Sequence, residues 1–421
     1  MKDIPNGFTG FKNMEPDFRY YKSGDTPGAE VPFDPEKLQA IASRDRRWSW
    51  VEVDLGAIRH NVMEVKRRLK PGTKLMAVVK ADAYGHGAVE CAKAALTSGA
   101  ETLGVATVDE GIELRQAGIT APILIFGEPP LQAIPLLLQY RITPSVYTPD
   151  FAIAYAEVAD AHGMKAPYHL AINTGMNRIG VRYDEVVSFM SRIAFHRALE
   201  HTGTFTHFAT SDCEETLDFQ IQFRHFVDAL TAMHEAGLDL GIVHCANSAA
   251  ILRYPNTHFD MVRLGISLYG FHPCPQTVGT IDLQPAMSVH ARITDVRSVP
   301  MSEGVSYGMH YRSPGSVKIC TLPLGYADGF MRCLSGRVDV LLEGQRCHQV
   351  GNICMDQCMF EVDQRLRANR PRLDPKIGDE VVIIGRQGEN QITIDEHAES
   401  GGTIQHEVAI GFSHRMPRYW V

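Results

Sequence analysis

From Trp48 onward, short apolar and β-branched runs alternate with stretches in which apolar positions recur at helical spacing. The first run, residues 51–53, precedes Ile58, Val62, Val65 and Leu69, which share one face at the 3.6-residue period and predict a helix. Further strand candidates follow at residues 75–79, 103–106, 123–126, 142–147, 168–172, 203–206, 241–245 and 261–263, with a helical pattern closing at Gly118. Thr148 followed by Pro149 has the pattern of an N-cap and a first helical position. Phe219, Phe223, Phe226, Leu230 and Met233 mark the core face of a later helix. Eight or nine such units in roughly 240 residues predict an α/β fold with a (β/α)8 barrel of the TIM type over residues 46–285.

After Pro285 the texture changes to short alternating runs at residues 289–296, 316–322, 338–342, 359–362 and 380–384, separated by Gly, Pro and Asp. These predict a mostly β C-terminal domain over residues 286–421. Residues 1–45 carry Pro5, Pro16, Pro27, Pro32 and Pro35 among charged residues and form a weakly structured N-terminal extension in this reading. No internal repeat is visible. A length of 421 residues with 44% hydrophobic composition suffices for two domains.

Net charge narrows the function. At −8 the chain lacks the basic excess of a nucleic-acid binder, which directs attention to a small-molecule partner. Nine scattered cysteines do not form a disulfide framework, and the first 45 residues hold no apolar stretch for a signal peptide or a membrane span. The expected location is the cytoplasm. Cys354 and Cys358 lack the second pair or the histidine spacing of a zinc site, so no metal is expected. Asp109, Glu110 and Glu113 fall together on a predicted helix and are expected on its solvated face.

The segment Met76-Ala-Val-Val-Lys80-Ala-Asp-Ala-Tyr84-Gly-His-Gly87 places a lysine at the end of a hydrophobic strand, ahead of a glycine-rich turn. At a barrel mouth such a lysine is desolvated, which lowers its pKa and frees the amine for a Schiff base. A solvated strand-end lysine fits the spacing about equally well.

This segment resembles the pyridoxal-phosphate (PLP) lysine motif of the alanine racemase family, and further motifs follow in that family's order from Trp48 to Trp420. They are His169-Leu-Ala-Ile-Asn-Thr-Gly-Met-Asn-Arg178, Thr206-His207-Phe-Ala, Ala246-Asn247-Ser248 and Met261-Val-Arg263-Leu-Gly265-Ile266. Later come Val305-Ser-Tyr307-Gly, Gly325-Tyr326-Ala-Asp, Cys354-Met355-Asp356 and Arg415-Met-Pro-Arg418. Each string is weak alone; the ordered set is specific.

The resemblance implies a PLP-dependent isomerase, a small amino-acid substrate, and a homodimer with shared active sites. Lys80 would carry PLP and act as one catalytic base, with Tyr307 of the partner subunit as the other, one on each side of the substrate Cα. Arg263 would bind the pyridine nitrogen, with His207 beside the ring. Tyr84, Ser248, Gly265 and Ile266 would serve the phosphate, with Asn247 as a neighbour that reads equally well as a turn residue. Arg178 and the backbone N–H of Met355 would meet the substrate carboxylate, with Tyr326 at the entrance. The implied role is D-alanine supply for peptidoglycan precursors.

Two departures stand out. Ala171 and Asn173 replace a lysine, often carbamylated, and an aspartate of many members, leaving Arg178 short of a partner in a half-buried place; a bound chloride is expected there. His406 stands where the family usually has a tyrosine that contacts the phosphate and limits the side-chain pocket, so serine or a broader range of amino acids joins alanine as a candidate substrate. A PLP decarboxylase of the same architecture is disfavoured by Arg263, because decarboxylation gains from a protonated pyridine. A PLP-binding carrier or regulatory protein without turnover is a further alternative, but it has no use for Tyr307 or the Cys354-Met355-Asp356 motif.

Overall fold

The strand expected to open the barrel belongs to the other sheet. The computed structural model describes residues 46–362 and 372–421, so the expected N-terminal extension lies outside the described residues. In it β1 (Ser49–Val53) pairs antiparallel with Met287–Arg292 and parallel with Arg418–Trp420. A short run buried on both faces suits either kind of sheet, and only long-range pairing decides between them. The helix after it, α1 (Leu55–Lys66), starts where Asp54 accepts the Ala57 N–H at 3.0 Å, and it buries Ile58, Val62 and Val65 as the periodicity requires.

The barrel proper is β2 (Lys74–Val78), β3 (Thr102–Val105), β4 (Ile123–Ile125), β5 (Thr143–Val146), β6 (Ala166–Asn173), β7 (Leu199–Phe205), β8 (Ile242–His244) and β9 (Met261–Leu264). All are parallel, in the order β9-β2-β3-β4-β5-β6-β7-β8. At the seam between β8 and β9, Asp260 N–H donates to Val243 O at 3.1 Å and Arg263 N–H to Ala246 O at 2.9 Å, nearly closing the ring. Outer helices behave as patterned. Thr148 caps Pro149–Ala161, and Leu217–Glu235 buries Phe219, Phe226, Leu230 and Met233, each contributing about 1.5–3 kcal/mol by leaving water.

The second sheet runs Asp295–Val299, Val317–Leu322, Cys358–Val362, Gln345–Val350, Asp339–Leu342, Glu380–Gln387, Met287–Arg292, β1 and Arg418–Trp420. The single run expected over residues 289–296 is two strands. Between them Ile293 N–H turns to Asp379 O and Thr294 N–H to Thr321 O, so the chain changes partner there. The last strand reaches back to the barrel mouth: Trp420 Nε1 donates to His86 O at 2.9 Å, and Arg418 Nε to Gly85 O at 2.7 Å. Gly87 has no alternative here, because a Cβ would lie 2.6 Å from the Trp420 ring and its φ is +94°.

Candidate active site

Lys80 begins α2 (Lys80–Gly85), a turn of the opposite hand from ordinary helices. Ala81, Asp82, Ala83 and Tyr84 have φ of 51°, 51°, 53° and 54°. Each left-handed non-glycine residue costs roughly 1–2 kcal/mol, so the turn persists only because neighbours hold it. Asp82 Oδ1 accepts the N–H of Ala88, the first residue of α3 (Ala88–Thr97), at 2.7 Å, and Ala83 N–H donates to Val79 O at 2.9 Å. Glu110, on α4 (Val108–Gln116), accepts the Ala81 N–H at 2.7 Å. That corrects the expectation of a solvated face for Glu110. The capping box with Thr107 folds its carboxylate back over the helix start, whereas Asp109 and Glu113 are exposed.

The turn delivers Lys80 and Tyr84 into a cavity of about 520 Å³ at the C-terminal end of the strands. Arg178, His207, Asn247, Ser248, Arg263, Gly265, Ile266 and His406 line the same cavity. Burial, followed by the Arg178 charge, lowers the Lys80 pKa from its usual 10.5, and Glu110 partly opposes this. The Tyr84 ring lies 4.9 Å from Tyr269 and 5.5 Å from His406, and burial pushes its hydroxyl up to about 12. Ser248 Oγ accepts from Gly265 N–H at 3.0 Å and Ser267 N–H at 3.3 Å. Asn247 spends its side chain as a cap, accepting from Ala250 N–H at 3.0 Å and Ser211 Oγ at 2.9 Å.

Arg263 is 3% exposed and has no carboxylate against it among the described residues. Its terminal nitrogens donate to His244 Nδ1 at 3.0 Å, His207 Nδ1 at 3.1 Å, and the carbonyls of His244, Thr206 and Cys245. A guanidinium has no acceptor, so both histidines must present bare Nδ1 atoms and carry their protons on Nε2. His244 then gives its Nε2 proton to His169 Nδ1 at 2.9 Å. Burial, reinforced by nearby cations, pushes His207 and His169 down to about 3 and His244 well below its usual range, so all three are neutral at neutral pH. Arg263 itself falls to about 10 through burial and stays charged.

Tyr307, Tyr326 and Met355 are elsewhere. They are 73%, 41% and 54% exposed and do not line the cavity. All three sit on one platform of the second half of the chain. Asn352 Nδ2 donates to Tyr307 O at 2.7 Å, and Tyr326 N–H donates to Cys354 O at 3.0 Å.

Two family models match the chain: the alanine racemase N-terminal domain over residues 53–273 and the alanine racemase C-terminal domain over residues 286–420. The chain belongs to the alanine racemase family. An alanine racemase of Desulfovibrio desulfuricans is 44% identical over 372 residues, 88% of this chain and 98% of that protein. One from Carboxydothermus hydrogenoformans is 44% identical over 374 residues, 88% of this chain and 99% of its own. The Bacillus anthracis alanine racemase crystal structure with bound L-Ala-P superposes with a TM-score of 0.83 at 37% identity, covering 89% of this chain and 95% of that one. A histidine racemase from Leuconostoc mesenteroides has the same fold, with a TM-score of 0.80 at 28% identity over 89% of this chain and 98% of its own.

Alanine racemases are PLP-dependent isomerases, and the cavity suits that cofactor. It offers an amine of lowered pKa in Lys80, and the cationic excess of Lys80, Arg178 and Arg263 against one lining carboxylate, Asp212. A Cβ at Gly265 would lie 3.2 Å from Tyr84 Oη and 3.7 Å from Ser248 Oγ, so the glycine leaves a hollow between two hydroxyls at a phosphate's scale. Arg263 Nε, with its terminal nitrogens committed, meets no protein acceptor among the described residues and is free for a ring nitrogen.

Ala171 is buried, and Asn173 organises the turn before Arg178 by accepting from Gly175 N–H at 3.1 Å and Asn177 N–H at 3.0 Å. Arg178 is exposed rather than half-buried, although it still lines the cavity. Motif matching found the residues that face the cavity. It missed His169 and His244, polar residues within apolar strands, and Glu110, whose sequence signal is the Thr107-x-x-Glu110 capping box at a helix start.

Proposed function

We propose that this racemase interconverts L- and D-alanine by a two-base mechanism, as a homodimer in the cytoplasm whose active sites are shared between subunits. Residues 46–285 would hold the cofactor, and residues 286–421 would complete the partner's site. The carrying observation is the separation just described: the cofactor-facing residues share one cavity, while Tyr307, Tyr326 and Met355 stand exposed on one platform outside it. Among the described residues, no helix is long and apolar enough to cross a membrane.

Lys80 would hold PLP; Tyr84, Ser248, Gly265 and Ile266 would serve its phosphate, with Asn247 as a structural neighbour and His406 at the edge of the same wall. Arg263 would serve the ring nitrogen, with His207 alongside. When bound, PLP withdraws electrons from the substrate Cα and makes its proton acidic. Lys80 Nζ takes or returns that proton on one face, and Tyr307 of the partner subunit does so at its Oη on the other. Arg178 and the backbone N–H of Met355 of the partner subunit orient the carboxylate, and Tyr326 of the partner subunit narrows the entrance. The neutral histidines behind Arg263 leave it, among the described residues, the one fixed cation at the ring-nitrogen side of the site. A chloride beside Arg178 and Ala171 would supply the negative charge for which these residues have no side chain.

A broader specificity is the second reading. His406 also lines a further cavity of about 620 Å³, so the wall at the usual tyrosine position separates two spaces rather than closing one. The Leuconostoc mesenteroides protein, a histidine racemase, has the same fold.

The test is racemisation of L-alanine and L-serine by the PLP-loaded enzyme, followed by circular dichroism, in chloride and in gluconate buffer. Alanine turnover that is lost in Tyr307→Phe and weakened without chloride is the expected result. Serine preference would transfer the assignment to the second reading, and turnover of neither would remove alanine and serine as substrates and leave larger amino acids or a non-catalytic PLP-binding role.

A further inference from the structure

Glu110 has no part in the mechanism above, yet both its carboxylate oxygens are committed to backbone beside Lys80. Oε1 accepts from Ala81 N–H at 2.7 Å, while Oε2 accepts from Ala106 N–H at 2.7 Å and Thr107 N–H at 3.2 Å. Ala81 directly follows the lysine and is the first residue of the left-handed turn. Its N–H lies past the end of β2, where neither a strand ladder nor a preceding helical turn supplies an acceptor. One carboxylate therefore ties the end of β2 to the end of β3 and the start of α4.

We propose that Glu110 is a positioning residue for Lys80: it holds the left-handed turn that aims the lysine into the cavity and sets one negative charge against Arg178 and Arg263. A glutamine cannot do both. Its amide oxygen can accept on one side, but its NH2 then faces backbone donors on the other, and the charge is gone. Aspartate keeps the charge but is one methylene too short to span Ala81 and Ala106. Charge matters here because Glu110 is the carboxylate acting on Lys80, against two cations that disfavour its protonated form.

The inference rests on Lys80 as the cofactor-bearing base, so its test reads Lys80 itself. Competitive acetylation of the PLP-free protein, quantified by mass spectrometry across pH, gives the Lys80 titration midpoint; turnover of the loaded enzyme and thermal unfolding run in parallel. Glu110→Gln should lower the midpoint by roughly half a unit or more, since removing a nearby anion favours the neutral amine. It should also reduce kcat about tenfold or more. Thr107→Ala, which removes only the hydroxyl of the same cap, should lower the melting temperature and leave the midpoint in place. An unchanged midpoint in Glu110→Gln, or an equal shift in Thr107→Ala, would overturn the proposal. If Glu110→Gln does not fold, Glu110→Asp decides: wild-type turnover there would sink the tether, and lost turnover with a retained midpoint would support it. A midpoint shift as stated, in an enzyme that racemises neither alanine nor serine, would sink the proposed reaction and leave the positioning role standing.

Discussion

The barrel mouth and the Tyr307 platform are both rigid, but in different ways. At the mouth the side chains themselves are fixed: Arg263 is enclosed by five acceptors and is 3% exposed. On the platform the backbone is fixed and the side chains are left out. Ser306 Oγ donates to Asn352 O at 2.6 Å, and Ser306 and Met309 are held at φ of 67° and 48° on either side of an aromatic ring that is 73% exposed. Backbone in that region costs on the order of 1–3 kcal/mol per residue, and within the chain it returns no packing of the Tyr307 ring. On the proposed reading, a mouth that is finished and a platform that is strained toward solvent would be two halves of one site, joined by a second copy.

The strongest way to break that comparison is to separate the halves genetically. Lys80→Ala and Tyr307→Phe should each lower turnover by roughly 10²–10⁴-fold, the usual worth of a positioned acid–base group. Mixed after unfolding and refolding together, the two inactive variants should recover about a quarter of wild-type activity, because half of randomly formed dimers are hybrids and each hybrid has one intact site. Recovery near zero in protein shown to be dimeric would mean that the platform and the mouth do not meet between subunits.

A smaller effect sharpens the electrostatic side. Burial and the Arg178 charge both lower the Lys80 pKa, so Arg178→Gln should raise its titration midpoint in the acetylation assay, opposite in sign to Glu110→Gln. The neutral form needed to accept a proton would then be reached at higher pH. Replacing His207 should not remove the acid limb of kcat/KM, because burial and Arg263 hold its pKa at about 3, outside the working range. An acid limb that disappears with His207 would show that the histidines behind Arg263 titrate during catalysis.

Much of the barrel could be read from the chain because its strands are apolar runs at regular intervals, and Thr148-Pro149 or the Phe219 to Met233 stripe state their helices locally. β1 could not be placed, since its partners are more than 200 residues away and its own sequence suits either sheet. The cavity-facing residues were legible through motifs that have a chemical reason to be spelled out. Glu110 was not: an acidic residue in a first helical turn is ordinary, and only the fold shows that its carboxylate reaches back to Ala81. Nor was His169, whose role depends on a tautomer chain running through His244 to Arg263. The exposure of Arg178 was likewise hidden, because Arg178 follows the end of its strand, where apolar patterning no longer reports burial.

The smallest expected effect lies at His406, where the mouth borders a third space. Its ring stands 5.5 Å from Tyr84 and borders both the reaction cavity and the one of about 620 Å³ behind it. Its pKa is lowered by burial and then by the Lys80 charge, so at neutral pH it contributes shape and a single donor rather than a positive charge. Restoring the bulk with His406→Tyr should therefore leave cofactor binding and the alanine kcat within a few fold. It should lower kcat/KM for serine and larger amino acids relative to alanine by about 10-fold, the scale on which one small contact in a pocket discriminates. A substrate ratio unchanged by His406→Tyr would mean that the wall between the two cavities does not touch the substrate side chain, and specificity would then have to be sought at the platform edge around Tyr326 and Met355.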